Sequence, residues 1–85
     1  MCSITAQRIL DAQGLYCPEP VMLLHNAIHE MSVGESIKVI ATDPSTQRDI
    51  PKFCQFLGHT LVEKYTEQAG QQFIYIVSKA DKQAD

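Results

Sequence analysis

The sequence predicts an α/β fold, a two-layer sandwich in which two helices lie on one face of a four-stranded mixed sheet. Amphipathic helical segments alternate with short segments rich in β-branched and aromatic residues, in the order β-α-β-α-β-β. The first connection is a crossover between parallel strands, and such crossovers are right-handed in nearly all proteins. The last two strands are separated by a connection of hairpin length. Both helices can therefore pack on the same face of one sheet.

The first half of the chain contains a strand and a helix whose ends are marked. Arg8–Ala12 alternates roughly in polarity and is followed by Gly14, which predicts a short strand and a turn. The first helix is predicted over residues 18–31, because proline suits a first helical position and Gly34 lies just past the end. Its apolar stripe consists of Val21, Leu24, Ala27, Ile28 and Met31. Cys17 is then expected at the N-cap of this helix.

The second half of the chain continues with a strand, a helix and a hairpin. Residues 36–42 alternate in polarity and predict the second strand, which is broken at residues 43–45. The second helix is predicted over residues 47–57, with Pro51 close to its first turn and Gly58 just past its end. Two β-rich segments follow and are expected to pair antiparallel, namely residues 60–66 and Gln72–Ser78. Both alternating sets of the last strand are apolar, so the sequence leaves open which set faces the helices.

Length, charge and hydropathy narrow the possible functions. The 85 residues predict a single domain over residues 8–79, with flexible tails at residues 1–7 and 80–85. Seven basic and ten acidic residues give a formal charge of −3, the wrong sign for a protein that grips a phosphate backbone unaided. No apolar run approaches the roughly 18–20 residues of a membrane span, and the N-terminus lacks the features of a signal peptide. We therefore expect a cytoplasmic protein that binds neither membranes nor nucleic acid directly.

The three cysteines differ in what their positions suggest. Their odd number and the lack of a C-x-x-C spacing predict neither a disulfide framework nor a zinc site. Cys2 lies on the predicted N-terminal tail, and Cys54 falls on the apolar stripe of the second helix, which predicts burial. Cys17 stands at the start of a helix. His25 and His29 are one helical turn apart but lack a third ligand, so neither a metal nor a cofactor is expected.

Two interpretations of Cys17 stay open from the residues alone. Free cysteines are often buried and inert. At a helix N-terminus, however, the macrodipole favours a thiolate and lowers its pKa toward neutrality, which would make Cys17 a nucleophile. Pro18 and Pro20 stiffen the entry into the helix. Glu19 would raise the pKa of Cys17 if its carboxylate faced the sulfur, and the sequence leaves its direction open.

The surroundings of Cys17 favour relay chemistry over hydrolysis. A hydrolytic cysteine needs a nearby histidine, and His25 and His29 lie roughly 12–18 Å farther along the helix. An exposed thiol without a base or a cofactor suits the passing of a sulfur or a disulfide bond between partners. Met22 and Leu23 either form an apolar docking patch beside the thiol or extend the buried face of the helix.

Two stretches of the sequence resemble the TusA/SirA-like family of small sulfur-carrier proteins. The first is LDAQGLYCPEP at residues 10–20, which contains the Cys-Pro-x-Pro element of that family, and the second is DPSTQRDIPKFC at residues 43–54. The second stretch holds a charged cluster whose function is either capping and a surface ion pair or recognition of a partner, and whose members are Asp43, Arg48 and Asp49. The likeness covers about residues 8–79.

The resemblance implies the same β-α-β-α-β-β sandwich and a sulfurtransferase activity with Cys17 as the catalytic residue. Cys17 would accept a sulfur as a persulfide from a cysteine desulfurase of the IscS type. It would then hand that sulfur to the TusD subunit of a TusBCD complex, on the route to 2-thiolation of the wobble uridine of tRNA, without touching the tRNA. The supporting residues are Gly14, Pro18, Glu19 and Pro20, and the expected partner contacts are Met22, Leu23, Asp43, Arg48 and Asp49.

Two other functions stay open at this point. A non-catalytic binding or regulatory module would use Cys17 as a structural cap of the helix. A thiol redox protein would need a resolving cysteine, and Cys54 qualifies only if its Cα lies within about 7 Å of the Cα of Cys17. We expect a monomer, with a weak dimer through the uncovered sheet face as the alternative.

Overall fold

The computed structural model describes residues 8–79, which form two helices packed on one face of a four-stranded sheet. In chain order the elements are β1 (Arg8–Ala12), α1 (Glu19–His29), β2 (Ser36–Ala41), α2 (Thr46–Leu57), β3 (Thr60–Glu67) and β4 (Gln72–Ser78). The strand order is β1-β2-β4-β3, with β1 and β2 parallel and β4 antiparallel to both of its neighbours. The predicted fold class is confirmed. The two predicted tails and Cys2 lie outside the described residues.

The inward face of β4 is the one that the sequence left open. Three of its residues share a buried cluster with side chains of α1, β2 and α2, namely Phe73, Tyr75 and Val77. On the opposite face, Ile74 is 0% exposed and Ile76 is 5% exposed. β4 lies between β2 and β3, so neighbouring strands flank it on both sides. Both alternating sets of β4 are therefore buried, in agreement with their apolar character.

Helix α1 begins one residue later than predicted. Its N-cap is Pro18, whose carbonyl accepts the hydrogen bond of the Met22 N–H at 3.1 Å. The Glu19 N–H donates to the Tyr16 carbonyl at 2.8 Å, so the chain makes a turn before the helix starts. The prediction that Cys17 is the N-cap is therefore wrong by one residue, and Cys17 lies just outside the helix.

The glycine predicted to end α1 does not do so. The helix ends at His29, and its C-cap is Glu30 in a right-handed conformation. Gly34 lies farther on, in the turn before β2, with a φ of 93°. Its N–H donates to the Lys79 carbonyl at 3.0 Å, which ties this turn to the residue that follows β4. Gly58, in contrast, follows α2 as predicted and has the left-handed φ of 82°.

Helix α2 is anchored to the sheet at its first residue. It begins at Thr46, one residue before the predicted start, and continues through Pro51. The Thr46 side chain is almost fully buried, and its hydroxyl donates to the Asp43 carbonyl at 2.7 Å. Because the Thr46 hydroxyl proton is used in this bond, the Tyr75 hydroxyl, 2.9 Å away, donates its own proton to Thr46 Oγ1.

Among the helices that the structure describes, none combines the length and the apolar character needed to cross a membrane.

Candidate functional site

The turn after β1 and the loop after β2 meet beside Cys17. Because β1 and β2 are parallel, their carboxyl ends lie at the same edge of the sheet. The Gly14 N–H donates to Thr42 Oγ1 at 2.9 Å, and the Cys17 N–H donates to Asp43 Oδ2 at 2.8 Å. These two hydrogen bonds hold the turn against the loop. The side chain of Cys17 is exposed, so it is not the buried, inert thiol of the first interpretation.

Asp43 is committed to holding this turn and loop together. Its Oδ1 accepts the Ser45 N–H at 3.2 Å, and its Oδ2 accepts the Ser45 hydroxyl at 2.7 Å as well as the Cys17 N–H. These bonds, the Ser45 hydroxyl first among them, lower the pKa of Asp43 below its ordinary value. The Asp43 carboxylate therefore holds a negative charge at hydrogen-bond distance from the Cys17 backbone.

Acidic groups raise the pKa of the Cys17 thiol above its ordinary value. Asp49, in the first turn of α2, lines the same part of the structure as Cys17, and hydrogen bonding to its carboxylate is the largest cause of the raised pKa. Partial loss of hydration and the charges of Asp49 and Asp43 raise the pKa further, whereas a hydrogen bond with the Ser45 side chain acts in the opposite direction. The predicted lowering of this pKa toward neutrality is therefore wrong. The thiol lies outside the helix, and the charges acting on it are carboxylates of the β2–α2 loop and α2.

The other residues predicted beside the thiol take different places. Glu19 is exposed and is not among the groups that shift the pKa of Cys17. Pro18 caps α1, and Pro20 is buried. Arg48 pairs with Asp49, with Nε 3.3 Å from Oδ1, and its side chain is 70% exposed. The structure therefore brings Asp43 and Asp49 to Cys17 and leaves Arg48 on the outer side of Asp49.

An apolar groove between α1 and α2 opens beside Cys17. Its first part has a volume of about 420 Å³ and is lined by Cys17, Pro18, Val21, Asp49, Lys52, Phe53 and Phe56. Its second part, of about 360 Å³, shares three of these residues and is also lined by Met22, His25, Asn26 and Leu57. We call the two parts together the Cys17 groove. Phe56 is 82% exposed and Met22 is 57% exposed, whereas Leu23 lines neither part.

Sequence reasoning missed three lining residues that α2 contributes to the part of the groove that contains Cys17. Lys52, Phe53 and Phe56 follow Asp49 at spacings of three, four and seven, which places all four on one face of a helix. The periodicity of the second helix contains this signal. The periodicity shows which residues share a face of α2. It does not show what that face contacts, because the packing of α2 beside Cys17 is a tertiary contact.

The remaining thiol and the histidines lie in different surroundings. Cys54 is 2% exposed, and burial raises its pKa to about 11. The rings of His25 and His29 stack with centroids 6.5 Å apart, and His25 also meets Phe53 edge-on at 5.9 Å. Within residues 8–79 no three potential metal ligands of the His, Cys, Asp and Glu types come together. No histidine lines the part of the groove that contains Cys17.

The fold and the site together define a class of protein. Within residues 8–79 this small α/β sandwich presents one exposed thiol, on a hydrogen-bonded turn beside an open apolar groove, an arrangement that suits thiol exchange with other molecules. The chain belongs to the TusA family: the family model described as sulfurtransferase TusA matches residues 8–79.

Characterised relatives and a solved structure agree with this assignment. The chain is 63% identical over 73 residues to the sulfur carrier protein TusA of Pseudomonas aeruginosa, covering 86% of this chain and 91% of the relative. It is 56% identical over 81 residues to the protein of the same name from Pseudomonas putida, covering 95% and 100%. The crystal structure of a SirA-like protein from Desulfitobacterium hafniense superimposes with a TM-score of 0.73 at 23% identity, covering 86% of this chain and 99% of the other. This last likeness supports the fold alone.

Proposed function

We propose that this protein is a cytoplasmic sulfurtransferase that carries sulfur as a persulfide on Cys17. The donor is a cysteine desulfurase of the IscS type. The acceptor is the TusD subunit of a TusBCD complex, which serves 2-thiolation of the wobble uridine of tRNA. Membership of a sulfur-carrier family supports the proposal. The observation that carries it is the exposed Cys17 thiol on a rigid turn, with no histidine in its part of the groove.

The proposed reaction needs no oxidant and no cofactor. The Cys17 thiolate attacks the terminal sulfur of the donor persulfide, R–S–SH, and the donor S–S bond breaks as the new one forms. The donor leaves as a thiolate and takes up the proton that Cys17 has lost, so the products are Cys17–S–SH and R–SH. Delivery repeats the same exchange, with the acceptor thiolate attacking the terminal sulfur on Cys17. The sulfur changes its carrier at each step without net oxidation.

The Cys17 groove suits the approach of a partner's reactive segment. Its walls are largely apolar, with large exposed side chains from Phe56, which lines the same part as Cys17, and from Met22, which lines the second part. Apolar area of this kind supplies binding free energy without a deep pocket. Asp43 and Asp49 add negative charge at the same end, which gives the partner an orientation. We propose that both sulfur partners use this groove, one after the other.

Two further features of the proposal concern what the carrier does not bind. The formal charge of −3 opposes direct contact with a tRNA backbone.

Lys38 of β2 and Glu63 of β3 lie on the sheet face turned away from the helices, on either side of Ile76. Charged side chains there oppose stacking of two such faces, so we propose a monomer in solution.

The alternative redox function is disfavoured by the state of the second thiol. A resolving cysteine must reach the oxidised partner as a thiolate. Cys54 is buried, and its pKa of about 11 leaves very little thiolate at neutral pH. The relay function requires only Cys17.

Loading by a desulfurase tests the proposed function. The protein is incubated with an IscS-type desulfurase and cysteine, and intact-mass spectrometry with peptide mapping should find one added sulfur atom, on Cys17. Cys17→Ser should keep the fold and acquire no sulfur, whereas Cys54→Ser, the matched control, should be loaded like the wild type. An unloaded wild-type protein, or one loaded equally well after Cys17→Ser, would overturn the proposal. A non-catalytic module would show the first of these results.

A further inference from the structure

One basic side chain lines the same part of the groove as Cys17. This residue is Lys52 of α2, whose side chain is exposed. Lys52 follows Asp49 by three residues, which places the two on one face of α2, about 4.5 Å apart along the helix axis. The part of the groove that contains the thiol therefore offers a cation as well as a carboxylate.

Lys52 is not engaged by another side chain. The cation that pairs with Asp49 is Arg48, whose Nε lies 3.3 Å from Oδ1. Among residues 8–79, Lys52 forms neither an ion pair nor a side-chain hydrogen bond. It is also not among the groups that act on the Cys17 thiol. Its ammonium group is therefore available to a ligand in the groove.

Loading with sulfur changes the charge at the end of the Cys17 side chain. The pKa of the free thiol is raised above its ordinary value, so the thiol is largely protonated and uncharged at neutral pH. A persulfide is a stronger acid than the corresponding thiol, so the loaded side chain ends in a negatively charged sulfur. The new S–S bond carries this charge about 2 Å beyond Sγ. Loading thus creates an anion beside a cavity of about 420 Å³ that has a cation in its wall.

We propose that Lys52 binds the outer sulfur of the Cys17 persulfide and stabilises its anion, so that the groove holds the loaded form of the carrier. This inference rests on the proposed function and adds a binding residue to it. The ionisation is Cys17–S–SH → Cys17–S–S⁻ + H⁺, in which the proton passes to solvent and the S–S bond stays intact. A persulfide is attacked by thiols in its protonated form, so the contact with Lys52 also protects the carried sulfur from premature discharge.

The other charged groups around the thiol do not supply this cation. Glu19 of α1 and Asp43 of the β2–α2 loop are acidic. Arg48 is paired with Asp49 and does not line the part of the groove that contains the thiol. Within the described part of the chain, Lys52 is therefore the one cationic side chain that lines this part of the groove.

The acidity of the persulfide tests the contact with Lys52. Cys17 is first converted to its mixed disulfide with Ellman's reagent, and hydrosulfide then displaces the aromatic thiolate to leave Cys17–S–SH. Alkylation by iodoacetamide is followed against pH at the Cys17 peptide by mass spectrometry, which separates the loaded from the unloaded form. Lys52→Gln should raise the midpoint of the persulfide, with about three- to tenfold less anion below it, since each pKa unit is a factor of ten. The midpoint of the unloaded thiol should move much less, and equal shifts or an unmoved persulfide midpoint would overturn the proposal.

Two further variants separate a contact in the groove from a change in net charge. Lys52→Arg keeps the charge and should keep the persulfide midpoint near that of the wild type. Lys64→Gln, the matched control, removes one positive charge from an exposed position of β3 outside the Cys17 groove, and should leave both midpoints unchanged. A Lys64→Gln protein with the same shift as Lys52→Gln would overturn the assignment. Circular dichroism confirms that each variant is folded before it is compared.

Discharge by a small neutral thiol gives a second readout. The chemically loaded proteins are mixed with 2-mercaptoethanol at neutral pH, and loss of the outer sulfur is followed by intact-mass spectrometry. Lys52→Gln should lose its sulfur about three- to tenfold faster than the wild type, because more of its persulfide is protonated. Equal discharge rates in the two proteins would contradict a protective contact.

These assays load the carrier chemically and without a desulfurase, so the two proposals fail separately. A protein that is loaded by a desulfurase but shows no effect of Lys52 in either assay retains the relay function and loses this inference. A protein whose persulfide responds to Lys52 as described but acquires no sulfur from a desulfurase retains the Lys52 contact and loses the proposed function.

Discussion

At the scale of single residues, Cys17 combines exposure with suppressed ionisation. Its side chain is open to solvent, yet the hydrogen bond with Asp49 and the charges of two carboxylates raise its pKa. A more acidic thiol would react with small electrophiles and disulfides throughout the cell. The unusual feature of this site is therefore the sign of the electrostatic effect, and Asp49 is its largest cause.

The sequence alone does not predict that the pKa of Cys17 is raised. Cys17 and its Cys-Pro-x-Pro element are local features, and their position at the start of a helix was predicted to within one residue. Asp49 lies 32 positions farther along the chain and reaches the thiol only because α2 packs beside α1. A pKa depends on such neighbours in space. The local sequence shows the helix N-terminus next to Cys17, which would lower the pKa of the thiol, but it does not show the distant Asp49 carboxylate, which raises it.

Asp43 should make the folded state sensitive to acid. The pKa of Asp43 is lowered in the folded protein, so its carboxylate contributes stability that is present above the ordinary value of 3.8 and is lost as the pH falls through the folded value. Asp43→Asn should therefore weaken the dependence of the urea midpoint on pH in the acid range. Glu63→Gln, an exposed residue of β3, is the control and should retain the wild-type dependence. An Asp43→Asn protein with the full acid dependence would contradict this role.

At the scale of elements, α2 contributes more of the site than the sequence indicated. The predicted bounds of both helices and all four strands agree with the structure to within one or two residues, because apolar periodicity marks them. What periodicity cannot supply is the partner of each face. Asp49, Lys52, Phe53 and Phe56 share a face of α2, and only the packing of α2 on the sheet turns that face toward Cys17. Of the two residues that form either a docking patch or part of the buried face of α1, both are exposed, and Met22 lines the groove whereas Leu23 does not.

Phe56 should matter for partner exchange and little for stability. Its side chain is 82% exposed, so truncation removes few buried contacts, and Phe56→Ala should change the free energy of unfolding by less than about 0.5 kcal/mol. Loading of Cys17 by a desulfurase should nevertheless slow severalfold, because an exposed aromatic side chain in the groove is a typical binding hot spot. The initial loading rate at limiting desulfurase measures this effect.

Val33→Ala provides the control for Phe56→Ala. Val33 is 55% exposed and lies in the turn before β2, outside the Cys17 groove. Its truncation should leave the loading rate unchanged. Equal loading rates for Phe56→Ala and the wild type would show that partners dock elsewhere.

At the scale of the whole molecule, the two layers of the sandwich make different contributions to the site. One layer, the sheet, fixes the turn after β1 against the loop after β2 through hydrogen bonds to Thr42 and Asp43. The other layer, the helices, forms the groove and contributes the carboxylate that acts on the thiol. The strand order places Cys17 where both layers meet. A chain of 85 residues thereby presents an exposed thiol beside an open groove.

The global topology was predictable because its determinants are local and consistent with one another. Two amphipathic helices, four β-rich segments and one hairpin connection permit few arrangements. The inward face of β4 was not predictable, since both alternating sets are apolar, and it became clear only from the packing of Phe73, Tyr75 and Val77 against side chains of α1, β2 and α2. The formal charge of −3 likewise indicated protein partners in general, and no partner in particular.

The most direct test of sulfur relay through Cys17 is a chase of sulfur through an isolated carrier. The protein is loaded with labelled sulfur by a desulfurase, purified away from it, and mixed with a TusBCD complex under non-reducing conditions. If Cys17 relays sulfur, the label leaves Cys17 and appears as a persulfide on a TusD cysteine, with no label on the Cys17→Ser protein at any stage. Label that stays on Cys17 in the presence of TusBCD, or that reaches TusD equally well through Cys17→Ser, would contradict relay through Cys17.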